Sequence, residues 1–75
     1  MEWSHTVLLE TERRIRATGT KLSVFCVKAG IDRSSWTLWK HGKKDGKRVT
    51  PRPDTWARVE RTLHKLEARR FARAA

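Results

Sequence analysis

The chain has 75 residues, of which 18 are Lys or Arg and 8 are Asp or Glu, so its formal net charge is +10. This length fits one domain, and so small a domain has no room for a deep substrate cavity beside its core. No apolar run is long enough to span a membrane, and the first residues lack the order of a secretory signal. We therefore expect a single cytoplasmic domain over residues 1–75. Its charge predicts an anionic partner, most commonly nucleic acid.

The first half of the chain contains two segments with helical periodicity. The first covers about residues 4–18 and the second about residues 21–29. Gly19 and Gly30 follow them, and glycine is a common residue at helix ends because it tolerates the left-handed conformation. Neither segment shows the strict alternation of a strand, so both are predicted to be helices.

The second half of the chain contains two further predicted helices around a basic loop. The third helix begins at Asp32, a good N-cap residue, and the fourth occupies residues 53–71. The inward-facing apolar positions on these two helices are Trp36, Trp39, Trp56, Val59, Leu63 and Leu66. Residues 43–52 between them are polar, basic and interrupted by Gly and Pro, which predicts a loop. An Asp45-Gly46 pair leaves a small β-hairpin open as an alternative there.

Residues 21–42 have the pattern of two short helices joined by a sharp turn. Cys26 is small, so two helices can cross closely at that point. Gly30 permits the positive φ of a tight turn, and Ile31 is placed to fill the corner behind it. The spacing therefore fits a helix-turn-helix core.

The wider pattern resembles the lambda-repressor and Cro-like helix-turn-helix family. The residues that support this are Phe25-Cys26-x-x-x-Gly30-Ile31-x(4)-Trp36-x-x-Trp39-x-x-Gly42, followed by Pro51-x(3)-Thr55-Trp56-x-x-Val59. The resemblance covers about residues 8–66. The chain departs from the family's usual residues at Cys26, Leu22 and Trp36, where alanine, glutamine and an aliphatic residue are common.

The resemblance implies an all-α, compact four-to-five-helix domain that binds double-stranded DNA with sequence specificity. It implies a transcriptional regulator associated with the nucleoid. We expect a repressor that binds an operator as a homodimer, through weak self-association that becomes firm only on the DNA. The third helix would lie in the major groove. The side chains expected to contact base edges are Arg33, Ser34, Thr37 and Leu38. Phe71 and Leu66 would supply a small apolar patch for the dimer.

Phosphate contacts are expected from both edges of this motif. At the start of the second helix, the free N–H groups and the positive end of the helix dipole favour anions. The residues expected there are Thr20, Lys21 and Ser23. On the other edge, the expected phosphate-binding residues are Lys40, His41, Lys43, Lys44, Lys47, Arg48 and Arg52. Binding through six to eight such cations predicts a log K against log salt slope of roughly −5 to −7.

Other classes of function have less support in the sequence. No carboxylate pair, Gly-rich phosphate loop, activated nucleophile or metal-ligand spacing is present, so neither an enzyme nor a cofactor or metal is expected. One alternative is a protein-interaction module, such as an antitoxin or a co-regulator, that uses Trp3, Phe71 and the tail. Another is a nonspecific binder of nucleic acid or anionic membranes through the helix from Trp56 to Ala75. We expect no membrane partner for the regulator itself.

Overall fold

The computed structural model describes the backbone of residues 3–74 and the side chains of residues 3–70. Within that part, four α helices follow one another and no strand is present. They are α1 (His5–Ala17), α2 (Leu22–Ala29), α3 (Arg33–His41) and α4 (Pro53–Ala74). The predicted all-α class is thus confirmed. The fourth helix continues past the predicted end at residue 71, and the side chain of Phe71 lies outside the described residues.

Local interactions explain where the first helices begin and end. The hydroxyl of Ser4 accepts a hydrogen bond from the backbone N–H of Val7 at 3.2 Å, which caps the start of α1. α2 ends at Ala29, and Gly30 is its C-cap residue, with a left-handed φ of 73°. There the N–H of Ile31 donates to the carbonyl oxygen of Cys26 at 3.0 Å and closes the last turn. The predicted stop at Gly30 is therefore confirmed.

A cluster of indole rings occupies the centre of the core. Trp56 of α4 lies 6.1 Å from Trp36 and 6.2 Å from Trp39, measured between ring centroids. Trp3 contacts the same ring edge-on at 5.9 Å. The prediction that Trp36, Trp39 and Trp56 are core residues is confirmed. Trp3, whose role the sequence left open, covers this cluster from the N-terminal side.

The remaining core and one ion pair join the helices around this cluster. The other buried apolar residues are Leu8, Ile15, Phe25, Cys26, Ala29, Val59 and Leu63. α1 packs against α2 and α3, while α2 also packs against α3 and α4. At the surface, the guanidinium of Arg14 makes two hydrogen bonds to the carboxylate of Glu67, at 2.6 and 3.1 Å, and so links α1 to α4. These bonds lower the pKa of Glu67. Among residues 3–74, every helix is too short or too polar to cross a membrane.

Candidate nucleic-acid interface

One face of α3 is exposed to solvent because the opposite face packs into the core. Trp36 and Trp39 are buried. The opposite face of the helix contains the exposed side chains Arg33, Ser34, Thr37, Leu38 and His41. Leu38 is 40% exposed, which is high for a leucine, and it is the apolar member of this face. The structure therefore places all the predicted base-contacting residues on one accessible surface.

The N-terminus of α3 is accessible as well. Asp32 stands at the N-cap position, as predicted, but its side chain makes no capping hydrogen bond. The prediction that Asp32 stands at the N-cap position is therefore confirmed, but its side chain does not make the expected hydrogen bond to the helix. Since no side chain satisfies the first N–H groups, they remain available to another acceptor beside Arg33. Within the helix, the hydroxyl of Thr37 donates to the carbonyl oxygen of Arg33 at 3.1 Å and keeps its own acceptor capacity.

The start of α2 forms a second accessible helix end. Lys21 stands at its N-cap position and makes no side-chain capping bond. Lys21 and Ser23 are exposed, and Thr20 is half-buried, with its hydroxyl 2.9 Å from that of Thr18. The three predicted phosphate-binding residues on this edge are thus together at an uncapped helix start, where the helix dipole favours an anion.

The loop after α3 is folded rather than extended, and the alternative of a β-hairpin is wrong for it. The N–H of Lys43 donates to the carbonyl oxygen of Lys47 at 2.9 Å, and the N–H of Gly46 donates to that of Lys43 at 2.9 Å. The carboxylate of Asp45 accepts from the N–H of Lys47 at 3.1 Å. These bonds close a tight turn, and no strand flanks it.

Two contacts hold this loop against the helical core. Val49 is half-buried and packs on the core, while Gly42 lies directly beneath the backbone of the turn. Gly42 has a φ of 80° and a ψ of −176°, and a Cβ at this position would lie 3.0 Å from the carbonyl oxygen of Lys47. Only glycine fits so close an approach in this backbone conformation. The loop is therefore fixed at the C-terminal end of α3.

The cations of the loop remain at the surface. The exposed residues are Lys43, Lys44, Lys47, Arg48 and Arg52. Among residues 3–70, none of these side chains lies within 4.0 Å of a carboxylate oxygen. Because the turn is anchored to α3, the charges of Lys43, Lys44 and Lys47 lie at the C-terminal end of this helix. Arg52 lines a cleft together with Asp32 and Ser35, near the start of α3. The arrangement can bind a polyanion without first breaking an internal ion pair.

Lys40, by contrast, has an internal partner that the sequence did not reveal. Its ammonium lies 3.1 Å from Oε2 of Glu12, a residue only 6% exposed on α1. The ring of His5 forms a hydrogen bond with the carbonyl oxygen of Lys40 at 2.9 Å. These groups join the C-terminal turn of α3 to α1. We therefore separate Lys40 from the predicted phosphate-binding set and assign it to holding α3 in place.

Cys26 is the one cysteine of the sequence, and its side chain is buried. Burial raises the pKa of the Cys26 thiol, and the positive charge of Arg33 has a smaller, opposite effect. The thiol is thus protonated and enclosed at neutral pH. No group of three or more His, Cys, Asp or Glu side chains within the described residues is arranged to hold a metal ion. What the surface can do is bind an anion along α3, α2 and the adjoining loop.

Comparison of the chain with protein-family models, with curated proteins and with solved structures finds no match.

Proposed function

We propose that the chain is a helix-turn-helix protein that binds double-stranded DNA with sequence specificity and regulates transcription. The observation that supports this most is the exposed face of α3, which is polar, accessible and bordered by cations that have no ion-pair partner among residues 3–70. The turn at Gly30 and the burial of Cys26 also fit this motif. The two uncapped helix starts add favourable positions for phosphate groups.

In this proposal α3 lies in the major groove. The planar guanidinium of Arg33 is suited to donate two hydrogen bonds to the O6 and N7 acceptors of a guanine. Ser34 and Thr37 contact bases or phosphates, and the exposed side chain of Leu38 packs against a thymine methyl group. Arg33 and Ser34 lie at the accessible N-terminal end of α3, the end that enters the groove in this docking mode.

Phosphates on either side of the groove are bound by the two edges of the motif. At the start of α2 the residues are Thr20, Lys21 and Ser23. After α3 they are His41, Lys43, Lys44, Lys47, Arg48 and Arg52. Lys40 is left out because its charge is paired with Glu12. The backbone at Lys43, Lys44 and Lys47 needs little further ordering, since the turn that contains these residues is already closed by hydrogen bonds.

We further propose that the protein represses transcription in the cytoplasm by occupying an operator as a homodimer. A single helix-turn-helix contacts few base pairs, and two copies on half-sites about one helical turn apart give useful affinity. The alternative of a protein-interaction module relied in part on an exposed Trp3. It has less support, because Trp3 packs against the core.

The test is a selection of randomised duplexes with the purified protein at near-physiological salt, followed by competition binding on the recovered site. We expect an inverted repeat with half-sites about one turn apart. Arg33→Ala should relax the preference at one base pair and cost about 1–3 kcal/mol on the selected site. Arg13→Ala is the matched control, since Arg13 is an exposed cation on α1. Recovery of no sequence, or equal effects of both variants, would contradict the proposal.

A further inference from the structure

A second positively charged surface lies away from α3, between α2 and the C-terminal half of α4. It is a groove of about 400 Å³, lined by Lys28, Thr62, Lys65, Leu66, Ala68 and Arg69. The groove residues of α4 are 6 to 13 positions beyond Trp56, the ring that contacts α3. At the rise of an α helix, this places them about 9–20 Å along the axis from that contact. The proposed DNA interface does not include any of them.

The groove also has apolar lining. Leu66 is half-buried on one side of it, and Ala68 is exposed on the other side. Thr62 adds its methyl group, because its hydroxyl is already bonded to the carbonyl oxygen of Arg58 at 2.9 Å. Val24 is 44% exposed and lies one helical turn before Lys28, so these two residues are on the same face of α2.

The rim of the groove is positively charged. Lys28, Lys65 and Arg69 line it, and no acidic residue does. Among residues 3–70, no carboxylate oxygen lies within 4.0 Å of these three cations. A partner that fills the groove must therefore combine an apolar stripe with negative charge on both sides of it.

We propose that this groove binds an acidic amphipathic helix of another protein. Such a helix would place its apolar face on Leu66, Ala68 and Val24 and its carboxylates beside the rim cations. A second copy of this chain fits poorly, because a twofold contact would set the three rim cations against their equivalents. Duplex DNA would pair with the cations but would leave the apolar lining uncovered. Complementary charge around an apolar lining thus favours an acidic protein segment.

The probe is a fluorescein-labelled synthetic helix of about 18 residues, with leucines at i, i+4 spacing and glutamates on both flanks. We expect saturable binding to the full-length chain by anisotropy. In ¹H–¹⁵N spectra we expect shifts centred on the amides of Lys28, Thr62, Lys65, Leu66 and Arg69. A control peptide with lysine in place of every glutamate should not bind.

Two matched variants test the charge contribution. Lys65→Glu should weaken the acidic peptide about tenfold, since a carboxylate then faces the peptide's own. Arg13→Glu makes the same change of charge on α1 and should have less than about a twofold effect. Val24→Ser, which leaves the charge unchanged, should weaken the peptide roughly threefold through the lost apolar contact. Far-UV circular dichroism and a thermal melt establish that each variant is folded.

Several results would overturn this proposal. Absence of saturable binding would do so, as would equal effects of Lys65→Glu and Arg13→Glu, which would indicate general attraction. If duplex DNA shifted the groove amides in the same way, the surface would be a second DNA site. Shifts at these amides that depend on protein concentration alone would identify a second copy as the occupant. None of these outcomes depends on whether α3 binds DNA.

Discussion

The ammonium of Lys40 lies 3.1 Å from a carboxylate oxygen of Glu12, and this ion pair fastens α3 to α1. Glu12 is buried, so its negative charge depends on the nearby cation for compensation. Arg16 is the next basic group, at a longer 3.8 Å and mostly exposed. The pair therefore stabilises the position of α3, whose outer face forms the proposed interface.

Lys40→Met is expected to destabilise the fold because it leaves the Glu12 carboxylate buried with a weaker partner. The expected cost is about 2 kcal/mol in the free energy of unfolding, measured by urea denaturation. The salt dependence of DNA binding should stay nearly unchanged, since Lys40 offers no free charge to phosphate. A stable variant with a much shallower salt slope would show that Lys40 binds phosphate instead.

The proposed phosphate-binding cations should affect the salt dependence of DNA binding and leave the stability of the fold unchanged. The slope of log K against log salt should be about −5 if Lys21, Lys43, Lys44, Lys47, Arg48 and Arg52 each neutralise one phosphate. Lys44→Met should reduce its magnitude by about 0.9 and leave the urea midpoint where it was. Fluorescence anisotropy on one duplex over a range of salt concentrations measures this. An unchanged slope would remove Lys44 from the interface.

Gly42 and Gly46 allow a matched test of how the loop is anchored. Both have positive φ, but a Cβ would meet the carbonyl of Lys47 only at Gly42 and would enter open space at Gly46. Gly42→Ala is expected to cost about 3 kcal/mol and to weaken DNA binding by displacing the loop. Gly46→Ala should cost about 1 kcal/mol from its backbone conformation alone. Equal losses in the two variants would argue against a tight contact between loop and helix.

Cys26 should make stability depend on pH in the alkaline range. Burial raises the pKa of its thiol in the folded state, so the folded chain retains this proton at pH values where the unfolded chain has lost it. Its contribution to stability is therefore complete below the unfolded pKa, about 8.5, and declines as pH rises above it. Cys26→Ala should make the decline shallower in urea titrations between pH 7 and 10. An identical pH profile in both proteins would contradict this.

Local patterns in the sequence predict most of the fold. Trp36 and Trp39 are three positions apart, and this spacing alone identifies the buried side of α3 and hence its exposed side. Gly30 marks the turn because few other residues tolerate its backbone conformation. The face containing Arg33 follows from these two facts, so the sequence is sufficient to identify the candidate base-contacting residues.

Interactions between distant parts of the chain could not be predicted in this way. Glu12 and Lys40 are 28 positions apart, and each looks like an ordinary surface residue in its own helix. The position of Trp3 could not be predicted either, because its contact is with Trp56, a residue far along the chain. The Asp45-Gly46 pair suggested a hairpin, but strands there would have no apolar face to back them. The chain instead closes a single turn and packs the half-buried side chain of Val49 against the core.

The position of Trp56 has a consequence for cooperativity. Its ring touches Trp3, Trp36 and Trp39, so the N-terminal segment and α3 are both packed against one residue of α4. If α4 separated from the rest, Trp36 and Trp39 would lose their contacts with Trp56, and α3 would keep only its packing on α1 and α2. Because a helix of nine residues is marginal in water, the helix that we propose to contact DNA depends on α4 for part of its stability. Proteolysis in the loop before α4 would therefore weaken binding even though it leaves every proposed contact residue intact.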